Sequence, residues 1–152
     1  MKPVHSDYAS ADTLEFPGAI TFKVLLSSSQ TGGTHAVYED IVEPGVGPGR
    51  HIHKHQDETF LFEEGEFDVE IAGVRHHMKP GDVGFVPRGT VHAFKNVGTT
   101  PGRLRYVFSP AGSFAEMVGE LYEAAGGGQP DMEEMAAIAL KHGQEFVGPP
   151  LE

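Results

Sequence analysis

The strongest chemical signal in the chain comes from three histidines and a glutamate: His51, His53, His92 and Glu58. Side chains alternate faces along a β-strand, so His51 and His53, two positions apart, point the same way. After a short turn, Glu58-Thr59-Phe60-Leu61-Phe62 reads as a second strand on which Glu58 shares a face with Phe60 and Phe62. A carboxylate at the end of an apolar row needs a charge partner, because an isolated buried carboxylate is costly even after the surroundings relax. Two imidazoles and a divalent cation provide that partner. In Val91-His92-Ala93-Phe94 a third imidazole again shares its face with an aromatic ring. Three neutral imidazole nitrogens and one carboxylate oxygen form a mixed donor set that suits a divalent transition metal, Fe, Ni, Co, Mn, Cu or Zn, whereas Ca and Mg prefer all-oxygen shells. Glu58 also has a second, catalytic role open to it, as a base within reach of a substrate hydroxyl.

These residues sit in two longer patterns. Gly45, His51, His53, Glu58 and Gly65 read G-x5-H-x-H-x4-E-x6-G; Gly81, Pro87, Gly89, His92 and Asn96 read G-x5-P-x-G-x2-H-x3-N. From residue frequencies, each has odds of roughly one in a million at a given start. The pair resembles the two motifs of the cupin family, over about residues 20 to 110. The resemblance implies an all-β fold, an antiparallel cupin (jelly-roll) barrel holding a metal ion, and it suggests a homodimer. Among cupins the chain looks like the small single-domain proteins that include quercetinase-like dioxygenases, in which a three-His, one-Glu metal binds an enolate-type substrate. That likeness implies a dioxygenase acting on a small hydrophobic or aromatic molecule, with Phe60, Phe62, Phe67, Phe85, Phe94, Tyr106 and Phe108 available to line the barrel or simply to fill its core. A non-redox isomerase, lyase or cyclase using the same ion as a Lewis acid, and a ligand-binding cupin without turnover, remain open.

The other histidines carry weaker signals. His55 continues the parity of His51 and His53 but falls in the turn Lys54 to Asp57; His76 shares parity with Val74 and Met78, which makes it a pocket candidate over His77. His35 faces the core if Val37 does. His5 lies in an N-terminal arm and His142 ends a helix; neither is assigned a role. Gly65 and Gly89 are turn residues, and Asn96 reads as a turn residue as well.

The elements that must position the site follow from period-2 alternation punctuated by Gly and Pro. Strands are expected over 20–28 and 34–43, a hairpin around Gly32-Gly33, then over 50–54, 58–63, 66–72, 74–78, 82–87, 91–96 and 102–109. After Pro110 the period changes to 3.6. Ser113 with Glu116 forms a capping box before Phe114, Met117, Val118, Leu121 and Tyr122, and Gly126-Gly127-Gly128 ends that helix. A second helix starts at Asp131, with Glu134 at N3, and ends at Lys141-His142-Gly143. The chain thus divides into an arm and barrel over 1–112 and a helical extension over 113–152 packed on the same domain. The helices either pack outside the barrel or in a subunit contact, or cover the barrel mouth as a lid, and Val147-Gly148-Pro149-Pro150 forms a rigid end.

Composition narrows the partners. The 152 residues suit one domain, and the absence of Cys removes disulfides and thiolate ligands. A net charge of -11 with 11 basic residues disfavours nucleic acid. No apolar run approaches the length of a membrane span, and Met1 to Ser10 lacks the basic and apolar regions of a secretory signal, so a cytoplasmic protein acting on a small-molecule substrate, with no membrane partner, is expected.

Overall fold

Alternating apolar and polar residues on eleven short strands build two antiparallel sheets that face each other, a jelly-roll sandwich. The computed structural model describes all residues from 1 to 152. The elements are β1 (Asp12–Phe16), β2 (Ile20–Leu26), β3 (Ala36–Val42), β4 (Gly49–His53), β5 (Asp57–Glu64), β6 (Phe67–Ile71), β7 (Val74–Met78), β8 (Val83–Val86), β9 (His92–Asn96), β10 (Gly102–Ser109), α1 (Phe114–Ala125), α2 (Met132–Lys141) and β11 (Gln144–Pro150). One sheet runs β1-β2-β3-β10-β5-β8 and the other β11-β4-β9-β6-β7.

The inward rows are dense with aromatics. Phe60 and Phe62 on β5 face Tyr106 and Leu104 on β10, and Phe67 and Val69 on β6 close the core from the opposite sheet. Gly65 turns β5 into β6 at φ 85°, a conformation open to glycine at little cost. Gly47, between β3 and β4, lies so close to β9 that a Cβ there would stand 1.9 Å from the Phe94 carbonyl oxygen. Only a residue without a side chain lets this loop pass over the sheet.

Two strands escaped the sequence pattern. β1 lies in the stretch read as an arm, and pairs with β2 at the edge of its sheet. β11 replaces the rigid end expected at Val147-Gly148-Pro149-Pro150: it pairs with β4, setting Phe146 opposite His51 and Gln144 opposite His53. Prolines are tolerated there because β11 is an edge strand whose outer N–H groups need no partner.

α1 begins where the spacing places it, but without the capping box. Ser113 makes no side-chain bond to its own helix; its Oγ stands 2.8 Å from His142 Nδ1, while His142 Nε2 meets Glu120 Oε1 at 3.0 Å. That chain of bonds ties the end of α2 to the start of α1. The second helix is capped as expected, with Asp131 accepting from the Glu134 N–H at 3.1 Å. Phe114 of α1 packs its ring 4.8 Å from Phe108 and 5.3 Å from Tyr38, so the helix seats on the open end of the aromatic core. No helix is long and apolar enough to cross a membrane.

Candidate metal centre and its cavity

The β4–β9 ladder sets His51 directly opposite His92, and His53 follows two residues along β4 on the same face. Ring centroids lie 4.3 Å apart for His51 and His92, 4.9 Å for His51 and His53, and 5.2 Å for His53 and His92. One ligating nitrogen from each ring falls within 4.8 Å of the other two, and all three residues are buried. Glu58 arrives from the opposite sheet, on β5, and its Oε2 stands 3.1 Å from both His53 Nε2 and His92 Nε2.

The donor set fits a cation. Placing a proton on Nδ1 lets His51 donate to the Gly49 carbonyl at 2.7 Å and His92 to the Thr90 carbonyl at 2.9 Å. These bonds orient the rings and leave each Nε2 free for the centre. A neutral His92 in that tautomer would then present a lone pair to Glu58 Oε2. Only a cation between them, a proton or a metal, makes that contact attractive.

The titration behaviour follows the same geometry. Burial, aided by the neighbouring His92 and His53, pushes His51 well below the usual imidazole range, which favours the neutral, ligating form. Burial also opposes a charge on His92, but the hydrogen bond and charge of Glu58 outweigh it and raise that residue. For Glu58 burial acts upward, and the hydrogen bonds and charges of His53 and His92 overcome it, holding the carboxyl well below the ordinary range.

Beside the cluster opens a cavity of about 510 Å³. His51, His53 and Glu58 line it, and Phe22, Phe94, Phe114 and Phe146 give it aromatic walls. Met117, Val118 and Leu121 of α1 and Met135 of α2 complete those walls, so the helices cover the mouth of the sandwich. Two polar groups that sequence reasoning missed also face it: Asp40 on β3 and Gln144 on β11.

The remaining expectations divide. His76 lies exposed on β7 and has no part in the cavity; His77, beside it, is exposed and meets Asp68 at 2.9 Å. His55 is exposed in its turn. His35 does not face the core, because β3 has the opposite parity: Ala36, Tyr38, Asp40 and Val42 point inward. Phe85 is 57% exposed, since Gly84 and Val86 take the inner face of β8. Of the aromatics proposed to line the barrel, Phe94 and Tyr106 reach the cavity, while Phe60, Phe62, Phe67 and Phe108 are buried core. Asn96 is fully buried and donates to the carbonyls of Val42 and Thr100, both at 2.9 Å, bracing the turn after β9.

A two-sheet jelly roll with clustered histidines between its sheets defines a class. Residues 38–108, a stretch that contains both motifs, match the cupin domain family, and this part of the chain is a cupin domain. Protein SchB of Streptomyces halstedii is 27% identical over 89 residues, a match covering 58% of this chain and 64% of that protein, so it stops short of the full length of this relative. Among solved structures, KdgF from Halomonas sp. superposes with TM-score 0.65 at 19% identity, covering 72% of this chain and 94% of that one. The polyketide cyclase RemF from Streptomyces resistomycificus superposes with TM-score 0.57 at 23% identity, covering 72% and 79%. At these identities the likeness of the two structures is one of fold.

Proposed function

We propose that this cupin is a metal-dependent dioxygenase acting on a small, planar, largely apolar organic substrate of the enol type. One observation carries the reading: three buried histidines and a carboxylate meet beside a cavity that His51, His53 and Glu58 line and whose other walls are mainly aromatic and aliphatic. His51, His53, His92 and Glu58 would hold the ion. When bound there, a redox-active metal supplies Lewis-acid polarisation of a substrate oxygen and the electron exchange that oxygen chemistry requires. Glu58 supplies the base. Its position beside two imidazoles keeps it ionised, so it can accept the proton of a substrate hydroxyl brought within hydrogen-bond reach. Phe114, Met117 and Leu121 exclude water from the cavity, which strengthens polar interactions inside it.

A non-redox isomerase, lyase or cyclase is the second reading, supported by the fold shared with the polyketide cyclase RemF. Elemental analysis of the purified protein, followed by oxygen-uptake screening with the metal found, separates the two. Iron, nickel or cobalt with oxygen consumption is the expected result. Zinc with turnover under anaerobic conditions favours the second reading, and metal binding without turnover on any substrate favours a binding protein.

A further inference from the structure

On its cavity side the six-stranded sheet carries a buried carboxyl that the metal centre does not use. Asp40, on β3, is 6% exposed and lines the same cavity as Glu58. β10 runs between the strands that bear them, with Leu104 paired to Asp40 and Phe108 paired to Glu58. The two carboxyl-bearing residues are therefore four positions apart along β10 and on either side of it, roughly 16 Å at the backbone. Asp40's inward neighbours across the ladders, Phe22 on β2 and Leu104 on β10, are apolar. Its one side-chain hydrogen bond comes from the Tyr106 hydroxyl, at 2.9 Å to Oδ1.

A purely structural role explains half of this arrangement. Tyr106 is buried and its hydroxyl needs an acceptor. An amide oxygen would meet that need without placing an ionisable group among phenylalanines. Asp40 Oδ2 has no bonded partner and is not sealed off from the cavity. Gln144 also lines the cavity, but its Oε1 is sealed from it and meets no donor. An unpartnered carboxylate oxygen open to the cavity calls for a ligand that brings a donor. Burial pushes the Asp40 carboxyl up to about 7; the Tyr106 hydrogen bond opposes that rise, and the charges of Glu58 and Glu39 reinforce it.

We propose that Asp40, held in place by Tyr106, contacts the substrate at the end of the cavity away from the histidines by accepting a hydrogen bond from a second hydroxyl group. The substrate class narrows to aromatic or enolic molecules hydroxylated at both ends: one hydroxyl meets the metal centre and Glu58, the other meets Asp40. This rests on the cavity being the substrate site of the proposed metalloenzyme.

Fluorescence titration of the metal-loaded protein under anaerobic conditions, with 2-naphthol and with naphthalene-2,6-diol, tests it. The wild type is expected to bind the diol about tenfold more tightly or better, the scale of one hydrogen bond to a charged acceptor. Asp40→Asn is expected to lose that preference while keeping its metal content and its affinity for 2-naphthol. Failure of the wild type to bind the diol, equal binding of the two compounds by the wild type, or an Asp40→Asn variant that still prefers the diol overturns the proposal. The preference should also weaken as pH falls through about 7, where the carboxylate takes up a proton. Tyr106→Phe keeps the carboxyl but removes the bond that lowers its pKa, and so should move that midpoint upward; an unmoved midpoint overturns the proposal. Metal content and oxygen uptake on the same samples keep the two readings apart. An Asp40-dependent diol preference in metal-loaded protein that consumes no oxygen sustains this inference and counts against the dioxygenase.

Discussion

The two ends of the cavity each hold a buried carboxyl, and the two behave in opposite ways. At the histidine end, Glu58 lies between His53 and His92 and is held ionised against the effect of burial. At the β3 end, Asp40 has only a phenol for a partner, and burial pushes it up to about 7. Burial alone therefore does not decide the charge of a carboxyl; its partners do. A cavity with a permanent carboxylate at one end and a carboxyl titrating near neutrality at the other is equipped to handle protons at two positions on one substrate.

The sharpest way to break this comparison is to remove the imidazoles of the centre, two of which, His53 and His92, hold Glu58 down. His51→Ala, His53→Ala and His92→Ala are each expected to lose most of their bound metal after dialysis, measured by elemental analysis. The barrel should stay folded by circular dichroism, because the aromatic core does not depend on these rings. Stoichiometric metal in all three variants would remove the metal centre from the account. Glu58→Gln is expected to be milder in binding and severe in turnover. The three imidazoles and the amide oxygen retain much of the metal, while loss of the base lowers turnover by about a hundredfold or more. Full activity with weakened metal affinity would make Glu58 a ligand only.

Protons give a graded version of the same test. Imidazoles must be neutral to ligate, so metal occupancy is expected to fall as pH drops below about 6.5. Protons compete more strongly for His92, which Glu58 raises, than for His51, which burial pushes down. Occupancy that stays flat to about pH 4 would count against a histidine-dominated site.

The histidine end was legible in the sequence and the β3 end was not, for a physical reason. The spacing of His51, His53, Glu58 and His92 fixes which residues share a face, and the bounds of β4 to β10 fall within a residue of those expected, although in β7 and β8 the residues expected to face inward, His76 and Phe85, are exposed. In β3 the two parities read almost alike: Ala36, Tyr38, Asp40 and Val42 on one face, Val37, Glu39 and Ile41 on the other. Each mixes apolar residues with one acid, so hydrophobicity does not choose between them. Packing does, with Tyr38 at 5.2 Å from the Phe22 ring. β11 was masked by its glycine and prolines, although Gln144 and Phe146 carry a period-2 signal that points at His53 and His51. The capping box at Ser113 failed because a long-range partner, His142, competes for the hydroxyl, and no local pattern records that competition.

The smallest effect is expected at Asp40, and its sign sharpens the comparison most. A carboxyl whose folded pKa is about 7, against about 3.9 in the unfolded chain, binds its proton more tightly when folded. Its contribution to stability is thus fully present below about pH 4 and lost as pH rises through about 7. At pH 8 the folded protein carries the cost of ionising Asp40 among apolar neighbours, at most about 4 kcal/mol for a difference of about three pKa units. Asp40→Asn has no charge to bury and keeps an acceptor for Tyr106, so metal-free Asp40→Asn should melt above the wild type at pH 8, with the gap closing toward pH 5. Metal loading should narrow the pH 8 gap, because balancing the charge of Glu58 removes one of the influences that raise Asp40. A variant that melts below the wild type at pH 8, or a gap independent of pH, would show that Asp40 resembles Glu58 in being held ionised, and the contrast between the two ends would disappear.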